Sequence, residues 1–301
     1  MKNKTAVLFL THFFDKNIET LYSKIRKDCS ENHDVFLAFD CSNHVSNRLK
    51  QVSQSEKFFW SPKDYSKFNY PKKTSKAAAE WFYNCLDLVP MLFSERYPHY
   101  EYIWSIEYDV QFSGSWSTCL DYFIDNTSDL LATSITRYDR IPNWYLWKTL
   151  SSPMYALNHK KMVRAFLPFY RISKRGLSAL NLSYRKGCAG HYEAAVASIL
   201  SCHNLKIEDI GGTGEFTDQK NRNRFYTSSP LNDDLSPGSF AYRPFIEKMG
   251  SDTDKLWHPV KLSSYVSWDE ANRNSIWLKI KRRLRMAYHS LLERIKNSYK
   301  I

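Results

Sequence analysis

No glycine-rich fingerprint follows the first apolar run of this chain, Ala6-Val-Leu-Phe-Leu10. That absence argues against a dinucleotide-binding Rossmann enzyme and a P-loop NTPase, which both need glycines to bring backbone amides onto phosphate. No stretch approaches the ~20 apolar residues of a membrane span. The six cysteines, at 29, 41, 85, 119, 188 and 202, include no C-x-x-C pair, and no histidine joins them at zinc-finger spacing. They are expected to be reduced, mostly buried thiols of a cytosolic protein. Internal repeats and low-complexity tracts are also missing. Lys2 and Lys4 ahead of the first apolar run loosely imitate a secretory leader. The run is short, though, and His12, Asp15 and Lys16 follow it with no small-residue cleavage site, so a first core strand is expected there.

What remains is a chain of 301 residues, 43% hydrophobic, which suits one large α/β domain with an appendage. Aromatics reach 16%, enough to build either a large aromatic core or an aromatic-lined cleft of the kind that binds sugars and bases. The net charge of +12 is unevenly placed. Arg273 to Ile301 holds nine Lys/Arg and one Glu, a net of +8, which leaves +4 for everything before it. An anionic partner would therefore be sought by the tail rather than by the whole surface. This concentration, with no recognised DNA or RNA module, weakens a nucleic-acid-binding reading.

Hydrophobic spacing predicts a strand over 6–14, a helix over 17–27 with Ile18, Leu21 and Ile25 on one face, and a strand over 34–39. This β-α-β opening implies parallel pairing and a nucleotide-binding half-domain. Residues 45–73 read as irregular. A helix is predicted over 75–93, a strand over 102–110, a helix over 116–124 and a strand over 129–135. The Trp/Tyr-rich segment 137–148 suits the wall of a cleft. Helices are predicted over 160–170 and 191–202, a strand over 205–210, and long loops over 211–251. Past Trp268 the character changes. Ile276, Ile280, Leu284, Tyr288, Leu291 and Ile295 mark one helix face while Arg and Lys fill the other. The expected organisation is a catalytic domain over 1–268 and a basic amphipathic helix over 269–301.

The chemistry centres on Tyr102-Ile-Trp-Ser-Ile-Glu-Tyr-Asp-Val-Gln-Phe-Ser-Gly114. An apolar strand runs into two acids, Glu107 and Asp109, spaced i, i+2. Side chains so spaced share a strand face about 6–7 Å apart. Such a pair can hold a hard divalent cation and leave ligand positions for diphosphate oxygens, or it can be two solvated acids at a strand end.

This segment resembles the DxD region of GT-A glycosyltransferases. The longer string, Trp104 to Val110 with Ser113-Gly-Ser-Trp116 behind it, is similar to polysaccharide and cell-surface (O-antigen or capsule) galactosyl- and galactofuranosyltransferases. The first acid, Glu107, departs from the usual Asp. The resemblance covers roughly residues 5–262. It implies a GT-A-like, Rossmann-type nucleotide-diphospho-sugar transferase fold and a Mn2+ or Mg2+ cofactor. Asp109 would be the direct metal ligand, with Glu107 acting through water or ribose.

In the family order, Gly190-His-Tyr-Glu193 opens a helix where inverting enzymes carry the catalytic base. Glu193 takes that role, or is only an acid favoured by the helix dipole. Glu208 and Asp209 are the next choices. Trp257-His-Pro-Val-Lys261 matches the late metal histidine of the family: His258 as ligand, or as a loop residue beside a core Trp, and Lys261 toward phosphate. Proline at 259 biases His258 to an extended backbone. Thr11, His12 and Asp40 at the first two strand ends would meet base and ribose, and Lys76 the diphosphate. The activity implied is hexosyl transfer from a UDP-sugar donor to a saccharide or lipid-linked acceptor. A basic helix with Trp277 at its start fits an anionic membrane surface, giving a cytoplasmic enzyme peripheral on the inner face of the membrane. Alternatively that helix docks on the main domain, or the protein binds sugar nucleotides without catalysis.

Overall fold

The computed structural model describes residues 4–29, 31–42, 46–75, 85–154, 158–229, 231–232 and 235–265. The basic segment 269–301 and Lys76 lie outside the described residues. The six cysteines are free thiols, four of them buried.

Strand β1 (Thr5–Thr11) is buried along its whole length, and its side chains divide by parity. Ala6, Leu8 and Leu10 enter one core cluster, Val7 and Phe9 the other. A strand apolar on both faces belongs in the middle of a sheet covered on both sides. Helix α1 (Lys16–Cys29) buries Ile18, Tyr22, Ile25 and Cys29, one face at helical spacing. Its first turn is held by Asp15, whose Oδ1 accepts from the amides of Asn17 (3.0 Å) and Ile18 (2.9 Å). Strand β2 (Asp34–Asp40) then pairs parallel to β1, as the β-α-β reading expects.

The sheet has seven strands in the order β3-β2-β1-β4-β7-β6-β8. Here β3 is Lys57–Trp60, β4 Tyr102–Glu107, β6 Leu130–Arg137, β7 Val163–Ser173 and β8 Ile207–Asp209. Strands β3, β2, β1 and β4 are mutually parallel, and β7 runs antiparallel to β4 and β6. A two-stranded ribbon joins β5 (Gln111–Phe112) to β9 (Leu256–Trp257). Among the described residues the α-helices beyond α1 are α2 (Leu88–Arg96), α3 (Trp116–Leu120), α4 (Lys174–Arg185) and α5 (Tyr192–Cys202).

The structure corrects the sequence reading in three places. Residues 160–170 were expected to be helical but enter β7, whose eleven residues are all buried. Met162, Phe166 and Tyr170 imitate helical spacing because both faces of this strand are covered. Pro168 sits where the β6–β7 register shifts, between the Leu131↔Arg171 and Thr133↔Phe166 pairs, so its missing amide costs no ladder bond. The aromatic island Phe58-Phe59-Trp60 is the edge strand β3 rather than irregular chain. Helix α4 was not anticipated, although Ser173 caps it by accepting from the Gly176 amide and Leu177, Leu180 and Tyr184 supply a buried face. Of the helix expected over 75–93, residues 88–93 are helical, in α2, which continues to Arg96. Ser75 and residues 86–87 are bend and turn, residue 85 is 3-10, and residues 76–84 lie outside the described residues.

Candidate active site

Because β1, β2 and β4 are parallel, their C-terminal ends open at one edge of the sheet. Leu10 lies beside Glu107, and Thr11 beside Phe39. The chain thus delivers Thr11, His12, Asp40, Glu107 and Asp109 to a single edge, where open α/β sheets bind their ligands. The β5–β9 ribbon adds the late segment. Gln111 pairs with Trp257, and the Val260 amide donates to the Asp109 carbonyl at 2.8 Å. Residues almost 150 positions apart are brought together this way.

Glu107, Asp109 and His258 each present one ligand atom, and these atoms lie within 4.8 Å of one another. His258 is buried, and its Nδ1 lies 2.7 Å from the Ala241 carbonyl. That bond requires a proton on Nδ1, which leaves the lone pair on Nε2, the tautomer a metal ligand needs. Nε2 stands 3.6 Å from Asp109 Oδ1, beyond a hydrogen bond. Oδ1 is buried with no hydrogen-bond partner, while Oδ2 faces Lys261 Nζ at 3.3 Å. A buried carboxylate oxygen without a donor is expensive unless a cation meets it. Burial and the neighbouring charge of Asp109 push the Glu107 carboxyl up to about 8. Two acids crowded beside an imidazole Nε2 make a donor set that fits a divalent cation.

Glu193 sits in the first turn of α5. Burial pushes its carboxyl up to about 7, against the opposing pull of the Arg164 guanidinium. The adjacent Tyr192 hydroxyl donates to Glu107 Oε1 at 3.3 Å, so α5 touches the acidic cluster directly. The turn before α5 is fixed from several sides. Gly190 adopts φ +149°, and a Cβ there would lie 3.0 Å from Leu150 Cδ2. The His191 amide donates to Thr149 Oγ1 at 2.9 Å, and Lys73 Nζ to the Gly190 carbonyl at 3.1 Å. Lys73 is itself held 2.9 Å from Asp87 in a fully buried ion pair that also receives the Tyr184 hydroxyl at 2.5 Å.

The other expected contacts divide. His12 packs edge-on to Tyr108, ring centroids 5.3 Å apart, and its pKa is lowered mainly by burial. Asp40 is buried, and its Oδ1 accepts from the Ser42 amide (2.9 Å) and hydroxyl (2.6 Å). The Thr11 hydroxyl donates to the Phe13 carbonyl at 2.7 Å. Both residues therefore shape the strand ends. Glu208 accepts from Asn126 and Ser128, while Asp209 accepts from three backbone amides and Tyr226, so both second-choice bases are occupied by structural bonds. Sequence reasoning missed Tyr192, Arg164 and Lys73. Arg164 was hidden by the wrong helix over 160–170, and Lys73 carries no local signal.

No family model and no curated protein matches the chain. Among solved structures it is similar to a glycosyltransferase involved in glycosylation of the major capsid of PBCV-1. The identity is 9% and the TM-score 0.30, over 60% of this chain and just under two thirds (65%) of that one. It is also similar to the mannosyltransferase Ktr4p from S. cerevisiae in complex with GDP, with 12% identity and TM-score 0.39 over 91% of this chain and 80% of that one. By its sheet order, its parallel β-α-β opening and the acidic end of its central strand, the chain has the Rossmann-type α/β architecture that a GT-A resemblance implies.

Proposed function

We propose that the chain is a glycosyltransferase that moves a hexose, galactose or galactofuranose in the first instance, from a UDP-linked donor to a saccharide acceptor of cell-surface polysaccharide, with inversion. The observation that carries this reading is the Glu107–Asp109–His258 cluster, Asp109 and His258 buried and Glu107 partly so, at the C-terminal edge of the parallel strands, with Glu193 close enough to act on Glu107. A divalent cation, Mn2+ or Mg2+, held by Asp109, His258 and Glu107 would supply positive charge against the leaving diphosphate. Lys261, beside Asp109, adds a fixed cation at the same place. Glu193 accepts the proton of the acceptor hydroxyl as that oxygen bonds to the anomeric carbon and the carbon–oxygen bond to the diphosphate breaks. His12 and Tyr108 line the edge that would receive the base and ribose. Thermal-shift titration with UDP, GDP and CMP compounds tests the donor class. UDP compounds with Mn2+ should raise the melting temperature most, and a shift confined to GDP or CMP compounds would refute a UDP donor.

The tail supports a membrane-surface role for the same enzyme. Lys279, Lys281, Arg282, Arg283 and Arg285 stand near Ile276, Trp277, Ile280 and Leu284 in sequence. Each such cation near an anionic bilayer is worth about 1 kcal/mol, and salt screens it. Among the described residues no helix is long and apolar enough to cross a membrane. The full chain should co-float with anionic liposomes at low salt and detach at high salt, whereas a chain ending at Trp268 should not float. Equal binding to neutral liposomes would contradict the electrostatic mechanism.

A further inference from the structure

Lys73 and Asp87 form an ion pair in which each side chain is 1% exposed, with Nζ 2.9 Å from Oδ1. The Tyr184 hydroxyl donates to Asp87 Oδ2 at 2.5 Å, and the centroid of its ring lies 5.0 Å from Lys73 Nζ. Taking two charges out of water costs about as much as their attraction returns, and an apolar pair of similar size commonly serves a fold as well or better. The pair therefore calls for a use beyond stability, and a further contact of the cation supplies one. Lys73 Nζ donates to the Gly190 carbonyl at 3.1 Å, 117 residues along the chain.

The Gly190 carbonyl belongs to the peptide that enters His191, the N-cap of α5. His191 Nδ1 accepts from the Glu193 amide at 3.3 Å. That bond requires a lone pair on Nδ1, hence a neutral ring with its proton on Nε2. Burial, and after it the Lys73 cation, lower the His191 pKa to about 3. Nδ1 also lies 3.9 Å from Glu193 Oε2, where a charged ring would bind the carboxylate as an ion pair. One buried cation thus bonds the peptide ahead of the cap and opposes a charge on the cap itself. The same turn sets Tyr192, whose hydroxyl reaches Glu107.

Resting on the function proposed above, we propose that Lys73 is a positioning residue for transfer. Through the Gly190 carbonyl and the His191 cap it holds the first turn of α5, so that the Glu193 carboxylate stays aimed at the acceptor hydroxyl and out of an ion pair with His191. Lys73 acts through Glu193 and takes no part in the chemistry itself. Displacing a reacting group by about 1 Å can cost ~10²-fold in rate, so a fixed turn matters here.

The test is the double variant Lys73→Met with Asp87→Asn, made in the full chain and again on a Glu193→Gln background. Lys73→Met alone would strand a buried carboxylate and so probe folding rather than position. Transfer from a UDP-hexose in Mn2+, UDP affinity by calorimetry and the melting temperature are measured for each protein. With both charges removed the protein should melt near wild type and keep its donor KM and UDP affinity within about twofold, while kcat falls by about ten- to a hundredfold. On the Glu193→Gln background the same two changes should cost less than about twofold, because the group being positioned is already gone. Wild-type kcat in the folded double variant would overturn the positioning role. So would a double variant that does not fold, a loss of UDP affinity as large as the loss of kcat, or an undiminished loss on the Glu193→Gln background, each of which marks a purely structural pair. If the wild-type chain transfers and the variant matches it, only the positioning is wrong. If the wild-type chain releases no UDP from any UDP-hexose, the underlying function is wrong and the positioning falls with it.

Discussion

Asp109→Ala should abolish glycosyl transfer, by ~10³-fold or more, while the protein stays folded. The size follows from what Asp109 does. It offers a buried, partnerless Oδ1 to the cation site and holds Lys261 Nζ at 3.3 Å on its other oxygen. Losing one preorganised electrostatic group at a developing charge costs about 10²–10³-fold, and Asp109 would position two cations, the proposed metal and Lys261. Asp109→Asn keeps the shape of the side chain and should lose nearly as much. The Val260 amide bond goes to the backbone carbonyl and survives either change. The checks are transfer rate, Mn2+ binding by calorimetry and circular dichroism. Wild-type transfer that persists in excess EDTA would refute a metal role.

Glu193→Gln should lower kcat by ~10²–10⁴-fold, the usual worth of a general base, with UDP affinity retained. The wild-type rate should also depend on pH in a definite sense. As the base, Glu193 would work only when deprotonated, and burial raises its carboxyl to about 7, so kcat should rise between about pH 6 and 8, and the residual rate of the variant should rise less, with Glu107 alone of the two left to titrate in that range. Stability should move the opposite way. The folded carboxyl titrates at about 7 and the unfolded one near 4.5, so the folded state binds more protons between these values. Stability is therefore lost as pH rises through that window, and the full cost of burying the carboxylate stands above pH 7. Glu193→Gln should accordingly raise the melting temperature relative to wild type at pH 8 more than at pH 4. A variant with near wild-type kcat would reduce Glu193 to an acid at a helix start, as its position alone allows.

How far the sequence could be read depended on how local each signal was. The β1-α1-β2 opening was legible because two short, charge-free apolar runs bracket a segment of helical period, all within local sequence. Glu107 and Asp109 could be placed at a strand end because Tyr102 to Ile106 is apolar except for Ser105 and uncharged throughout. Strand β7 was misread because both its faces are buried, which removes the alternation that marks a strand. Its two arginines deepened the error. Arg171 is buried and donates to the Phe123 and Asn126 carbonyls at 2.7 and 2.6 Å, a solution that only tertiary structure provides. The meeting of His258 with Asp109 depends on pairing between β5 and β9, and no local pattern encodes that. It could be anticipated only from the family resemblance of Trp257 to Lys261. Tyr192 acquires its contact with Glu107 from the angle of the Gly190 turn, which Lys73 fixes from a distant part of the chain.

Release of nucleoside diphosphate from a panel of sugar nucleotides, with a saccharide acceptor present and with Mn2+ or EDTA, tests the central claim most directly. The account predicts UDP release from a UDP-hexose that depends on Mn2+, increases with acceptor, and disappears in Asp109→Ala. Equal release in EDTA, or no release from any sugar nucleotide by folded protein in Mn2+, would contradict it.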